Sequence, residues 1–428
     1  MTLMLICFIL FLAMGMPVAF VIGISAFMFF ASLPYLNFVT ATQMIAAQSQ
    51  SFAFLAIPFF IFAGNLMNVS GITSRILELA RLLTRWMYGG AAQLSVVMST
   101  LMGGVSASAT ADAAMNTRIL GPSMMKLGYS RGYIGALQCA TAMIVATLPP
   151  SLGLIVFGFV GEVSIARLFA AGIVPGFMMA FFLMITAGIT SRIRKYEPPR
   201  KDIPKLSFRE LFDNLKESIW ALIFPVILIA GLRFGLFTPS ESGAFVVIYA
   251  ILVGKFIYKE LTWEKFKEAL VTSLKDNGAI MLIVAMSGPF SFAITWAGLP
   301  MVLSRFLFGI TENPQVLVLI ILGFLFISGL FIDPNVNFLL LTPIFLPMVR
   351  SVGIDPVHFG ILMATIVTLG VMTPPVGVAM FTVCNILKCP IDEYTRESLP
   401  FMFVILLVLT ILVFLPDLVL FIPNMVFG

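Results

Sequence analysis

The chain has 428 residues, 60% of them apolar and 11% charged, with a mean hydropathy of +1.07. A soluble domain carries about a quarter charged residues, so this composition excludes an ordinary soluble globular protein. The net charge of +5 reads as membrane topology rather than as a nucleic-acid surface, because the basic residues cluster between apolar runs.

Apolar runs at residues 3–30, 221–230, 316–331 and 401–415 approach the roughly 20 residues that a helix needs to cross the hydrocarbon core. In lipid every backbone amide must be satisfied internally, so these runs predict an all-α, polytopic membrane protein. A cleaved signal peptide accounts for the first run alone and for none of the later ones. In chain order the first half predicts apolar segments at 3–15 and 18–33, a crossing segment at 52–67 and an amphipathic segment at 72–86. A pair of short segments follows around a polar turn, at 95–120, then a span broken by Pro149-Pro150, then one last span.

A polar stretch at 191–218 separates this half from a second that repeats the order. Its segments fall at 220–237, 243–258, 279–295 and 299–308, followed by a paired segment at 316–349 and a span broken by Pro374-Pro375. The halves share a register. A shift of 225 positions puts Pro122 on Pro347, Gly128 on Gly353, Pro149-Pro150 on Pro374-Pro375 and Pro175 on Pro400. Prolines and glycines constrain backbone shape, so their alignment predicts a repeated shape. The predicted organisation is a first repeat at 1–190, a basic cytoplasmic linker at 191–218 and a second repeat at 219–428. Within the first, scaffold spans occupy about 3–67, an arm 72–86 and a transport part about 95–190. Within the second the corresponding parts are 219–297, 299–310 and 316–428.

With the linker placed in the cytoplasm and the paired segments treated as re-entrant hairpins, only Arg167, Arg233, Arg305 and Arg350 fall on the outer side. That bias follows the positive-inside rule. It sets the two hairpins on opposite faces, which is inverted-repeat topology. Both termini then lie outside, provided that 3–33 is two short spans broken at Pro17.

Two features of each half carry chemistry. The hairpin turns read GGVSASATADAAMNT at 103–117 and SGLFIDPNVN at 328–337. Hydroxyl, carboxylate and amide groups are costly in hydrocarbon and are tolerated where they face protein or a watery cavity. Their oxygens suit a small hard cation. The candidates are Gly103, Ser106, Ser108, Thr110 and Asp112 in the first turn. In the second they are Ser328, Gly329, Asp333, Asn335 and Asn337. Ordinary helix capping is the plainer reading of any one such turn. The second feature is the double proline: Thr147, Pro149 and Pro150, against Thr373, Pro374, Pro375 and Gly377. Paired prolines break a helix mid-span and free carbonyls and helix ends at bilayer depth. The four cysteines (Cys7, Cys139, Cys384, Cys389) and the single His358 show no metal-site spacing, and no phosphate-binding loop is present, so no organic cofactor or catalytic group is expected.

The segments GGVSASATADAA, LAIPFFIFAGNLMNVSGI, PPSLGLIVFG, LFTPSESGA and TPPVGVAMF, in this order, resemble the large (DctM-like) membrane subunit of TRAP transporters, the tripartite ATP-independent periplasmic type. The resemblance runs nearly end to end. It implies an elevator-type secondary transporter of the ion-transporter kind in a bacterial inner membrane, coupled to Na⁺ as the co-transported ion. It implies import of a carboxylate such as sialic acid, a C4-dicarboxylate or another sugar acid. It also implies two partners: a small four-helix membrane subunit and a soluble periplasmic substrate-binding protein. A stand-alone dicarboxylate symporter or exchanger is the alternative expectation, and it would need no binding protein.

Overall fold

The computed structural model describes residues 1–33, 35–103, 108–197, 208–311 and 313–428, with Phe52 and Ala53 as backbone only. The described chain is all-helical. The first half begins with α1 (Thr2–Ala13) and α2 (Val18–Ala31), which pack against each other across a tight turn where Gly15 takes φ +75°. Pro17 precedes α2 and lacks the amide that would continue α1, so 3–33 is two short helices and not one tilted span. A helix follows that the hydropathy pattern does not announce, α3 (Phe38–Gln50), then a 3₁₀ turn and α4 (Ala56–Val69). The chain bends by 65° into α5 (Ile72–Thr84) at Gly71, whose φ of +86° favours glycine.

Hairpin 1 is α6 (Gly90–Met102) and α7 (Ala109–Lys126). The broken span is α8 (Arg131–Thr147) and α9 (Leu152–Val160), bent by 43°, and α10 (Ile165–Ile193) ends the half. The linker is helical at both described ends: α10 runs to Ile193, and α11 (Phe208–Arg233) starts inside the polar stretch. Residues 198–207 lie outside the described residues. The second half continues with α12 (Pro239–Leu252), extended by a π-helical turn, and α13 (Trp263–Trp296). The sequence reading ends one segment at 258 and begins the next at 279, but α13 is one continuous helix of 34 residues that starts at Trp263. The second half closes with α14 (Leu299–Phe308), hairpin 2 as α15 (Pro314–Phe331) and α16 (Pro334–Ser351), the broken pair α17 (Pro356–Met372) and α18 (Val378–Leu387), then α19 (Ile391–Phe414) and α20 (Pro416–Phe427).

The repeat is visible residue by residue. α16 has the bounds of α7, and α17 those of α8, shifted by 225 positions. Ser108 and Asp333 cap α7 and α16; Ser130 and Asp355 cap α8 and α17. Gly128 and Gly353 both follow a helix end with positive φ, as do Gly71 and Gly298. Both double prolines contain a cis peptide bond.

The long helix α10 sets the geometry. Its 29 residues span roughly 44 Å, more than the hydrocarbon thickness. At its C-terminal end the Gly89 amide donates to the Glu197 carbonyl at 3.1 Å, the Ser130 amide donates to the Tyr196 hydroxyl at 3.3 Å, and Arg194 pairs with Glu397. Both ends of hairpin 1 therefore lie on that face. At the N-terminal end Arg350, at the end of α16, donates to the Gly161 carbonyl at 2.8 Å, and Arg167 approaches Asp355 at 3.9 Å. Hairpin 2 therefore returns to the opposite face. The α8–α9 pair runs from the first face to the second. The α17–α18 pair runs back, since Arg131 donates to the Lys388 carbonyl at 3.2 Å. These are two inverted-topology repeats, each with a re-entrant hairpin and a helix broken at a double proline. The hairpins interlock with both broken spans: α7 packs on α8 and α18, and α16 packs on α9 and α17.

Candidate functional site

Each hairpin turn ends in a capped helix. The Ser108 hydroxyl accepts the Ala111 amide at 3.4 Å, and an Asp333 carboxylate oxygen accepts the Asn335 amide at 2.9 Å. A helix N-terminus carries about half a positive charge from its unpaired amides. Here the N-termini of α7 and α16, which enter from opposite faces, meet at one cavity of about 40 Å³. Ser108, Thr110, Ser151, Asp333, Asn335 and Thr368 supply its polar lining. That volume holds a few waters or one small cation with part of its hydration shell. The cavity adjoins a wider cleft of about 490 Å³, bounded on its far side by α4 and α13 and sharing Ser108, Thr110, Asp333 and Asn335. This is the size range of small-molecule sites.

The remaining sequence candidates take other places. Asp112 is fully buried inside hairpin 1, where one carboxylate oxygen accepts from Ser99 at 2.9 Å and from Asn116 at 3.0 Å. Its other oxygen has no partner among the described protein groups. Asn337, the repeat equivalent of Asp112, likewise turns back into its own hairpin: it accepts from Ser328 and donates to the Ile332 carbonyl at 2.9 Å. The Thr147 and Thr373 hydroxyls bond back to Met143 and Leu369 at 2.9 and 2.6 Å, inside their own helices. Gly103 lies against the first break: a Cβ there would sit 2.7 Å from that of Leu148. Gly329 presses on α17, where a Cβ would meet the Val367 carbonyl oxygen at 2.6 Å. Pro149 and Pro150 line neither space; directly after them Ser151 lines the cavity and Leu152 the cleft, and the Ser151 hydroxyl donates to the Ala146 carbonyl at 2.7 Å. Thr373, Pro374, Pro375 and Gly377 form the second break and do not line either space. Ser106 lies outside the described residues.

Six polar lining residues are absent from the sequence candidates: Ser151 and Thr368 in the cavity, and Asn65 and Asn68 on α4, Asp276 on α13 and Thr382 on α18 in the cleft. Asn65 donates to Ser273 at 2.9 Å and to Asp276 at 3.4 Å, which ties α4 to α13 at the cleft. The Asn68 side-chain oxygen Oδ1 accepts the Thr73 hydroxyl at 3.1 Å. The available signal was the i, i+3 pair of asparagines in an apolar segment, which sets both amides on one helix face at a cost in lipid.

Residues 5–418 match the family described as the tripartite ATP-independent periplasmic transporter, DctM component. The chain belongs to this family. It is therefore one component of a tripartite transporter, a permease subunit of a multi-pass membrane system and not an enzyme. Among its relatives, the 2,3-diketo-L-gulonate TRAP transporter large permease protein YiaN of Escherichia coli K12 is 33% identical, over 95% of each chain. The sialic acid TRAP transporter large permease protein SiaM of Vibrio cholerae is 34% identical, over 97% of this chain and 96% of its own. The solved structure of the Alcanivorax borkumensis YdaH transporter, described as having an unusual topology, superposes with a TM-score of 0.60 at 14% identity, covering 89% of this chain and 88% of that chain. At that identity the likeness shows the fold alone.

Proposed function

We propose that this permease subunit imports a carboxylate solute across the bacterial inner membrane, driven by Na⁺, and receives the solute from a soluble periplasmic binding protein. The observation that carries the reading is the meeting of two capped helix N-termini, from opposite faces, at one oxygen-lined cavity. The carboxylate of Asp333 and the nearby hydroxyl and amide oxygens are the hard ligands a small cation takes. The α7 and α16 N-termini attract the carboxylate of the solute without any basic side chain. Cation and anion then occupy adjacent spaces, and each stabilises the other.

The hairpins and broken spans (95–190 and 316–428) interlock and act as one transport body. The scaffold spans and arms hold still, braced by a small four-helix membrane subunit. Sliding of the loaded body past α4 and α13 carries the cleft from the periplasmic side to the cytoplasmic side, as in an elevator. The membrane potential adds about 2.3 kcal/mol per charge per 100 mV. The test is uptake into proteoliposomes with the small subunit and the binding protein present. Replacing Na⁺ by choline abolishes uptake if the reading holds; unchanged uptake overturns Na⁺ coupling. Equal uptake without the binding protein overturns the tripartite route in favour of a stand-alone carrier.

A further inference from the structure

We propose that two aromatic contacts between the scaffold and the transport body latch the body in the position seen in this structure, with the cleft open toward the cytoplasm and shut toward the periplasm. This rests on the transport reading above and deepens it by naming what closes the outer side. The cleft has an open end. On α4 its lining reaches Asn68, one residue before the helix ends, and on α13 it reaches Asp276, in the half of the helix nearer its start. On α7 it takes in Ala111 and Ala114, which step back from the turn toward the base of hairpin 1, and on α18 Thr382, beyond the second break. Arg75, just past the end of α4, pairs with Glu260, just before α13, and its backbone carbonyl accepts the Ser218 hydroxyl of α11 at 3.2 Å. These parts of the helices therefore lie toward the face that carries the linker, whose basic residues mark it as cytoplasmic.

Four phenylalanines close the other end. Phe60 on α4 lines the cleft and is 2% exposed. It stands edge-on to Phe169 of α10, with ring centroids 6.4 Å apart at 85°. Phe54, in the 3₁₀ turn that precedes α4, meets Phe159 of α9, with centroids 3.8 Å apart. Phe159 and Phe169 flank the α9–α10 turn, whose Gly161 carbonyl accepts from Arg350 on the outer face. In each pair one ring belongs to the scaffold and the other to the transport body. Tilted and edge-to-face rings attract beyond the area they bury. A packed apolar plug also leaves no polar path for an ion or a carboxylate. Sliding the body toward the periplasm must part both pairs, so they favour the cytoplasm-facing position over its alternative. The plug is particular to the first half. There the scaffold segment is interrupted at the 3₁₀ turn that carries Phe54, whereas α13, the corresponding segment of the second half, runs unbroken.

The experiment reads the two sides separately. Ala111→Cys, in a full chain whose Cys7, Cys139, Cys384 and Cys389 are replaced, is labelled with a membrane-impermeant maleimide in sealed membrane vesicles of either orientation. This parent labels at least about tenfold faster from the cytoplasmic side. Phe54→Ala and Phe159→Ala each speed labelling from the periplasmic side by about tenfold, the worth of one aromatic contact. The two together add little to either alone, because both remove the same contact. Phe159→Leu keeps the bulk and loses the ring, and gives a smaller rise in the same direction. Phe245→Ala removes a stacked partner of Phe237 inside the scaffold and leaves both rates unchanged, which controls for general loosening. Periplasmic labelling at the parent rate in every variant of Phe54 and Phe159 overturns the latch, as does a Phe245→Ala variant that speeds it as much as they do. Equal labelling of the parent from both sides, or faster labelling from the periplasm, overturns instead the sidedness on which the transport reading stands.

Discussion

Asp333 does two things that one substitution series separates. Its carboxylate caps α16 by accepting the Asn335 amide at 2.9 Å, and it offers charge to a cation in the cavity. Asp333→Ala removes both. Asp333→Ser removes the charge and keeps the cap, as Ser108 does for α7 at the equivalent position of the other repeat. Loss of a cap costs about 1 kcal/mol of stability. A unit negative charge about 4 Å from a cation contributes about 4 kcal/mol at an effective dielectric constant of 20. If desolvation of the carboxylate offsets about half of that, about 2 kcal/mol remains, or roughly a thirtyfold change in affinity. The assay is Na⁺-dependent uptake in proteoliposomes, read as the half-saturating Na⁺ concentration, alongside melting of the purified protein. Asp333→Ser should melt like the parent and need roughly thirtyfold more Na⁺; Asp333→Ala should also melt lower. A serine variant with the parent's Na⁺ requirement refutes the assignment of the cation to this turn and leaves Asp333 a cap only.

Two further outcomes follow from packing. Gly329→Ala places a Cβ against the Val367 carbonyl oxygen, so α15 and α17 must part at a cost of about 2 kcal/mol in melting experiments. Gly323→Ala, two turns earlier on the same helix, has nothing within 4 Å and should be neutral or stabilising by up to about 1 kcal/mol. The arm α5 is fastened to α11 by Arg85, whose guanidinium reaches both oxygens of Glu210 at 2.7 Å. A double-mutant cycle over Arg85→Ala and Glu210→Ala, read by melting, should give a coupling of about 1 kcal/mol at low salt that shrinks as salt rises.

Prolines and glycines carried most of the legible fold, because they act through backbone shape, which a repeat preserves even where side chains diverge. Pro149-Pro150 and Pro374-Pro375 marked both breaks, and Gly128 with Gly353 marked both helix ends. Helix α3 was not legible: FVTATQMIAAQSQ mixes polar and apolar residues and falls below a membrane-span pattern. The continuity of α13 was hidden by its charged first turns, which read as a loop when hydropathy alone is followed.

In the site, charge drew attention to Asp112 and Asp333 together, whereas the 225-residue register pairs Asp333 with Ser108 and Asp112 with Asn337. Pairing by register places the first two at the helix caps facing the cavity and turns the other two into their own hairpins. Asn65, Asn68 and Asp276 were illegible as a group because the tertiary packing of α4 on α13 brings them together.

The account stands on two turns that enter from opposite faces and share one cavity. Cysteines at Ser108 and Asn335, in a background with Cys7, Cys139, Cys384 and Cys389 replaced, test this with a short bifunctional thiol reagent on the membrane-embedded protein. The predicted result is a rapid cross-link within one chain, slowed when Na⁺ is present. Cross-links only between chains, or none while each cysteine alone reacts readily, would contradict it.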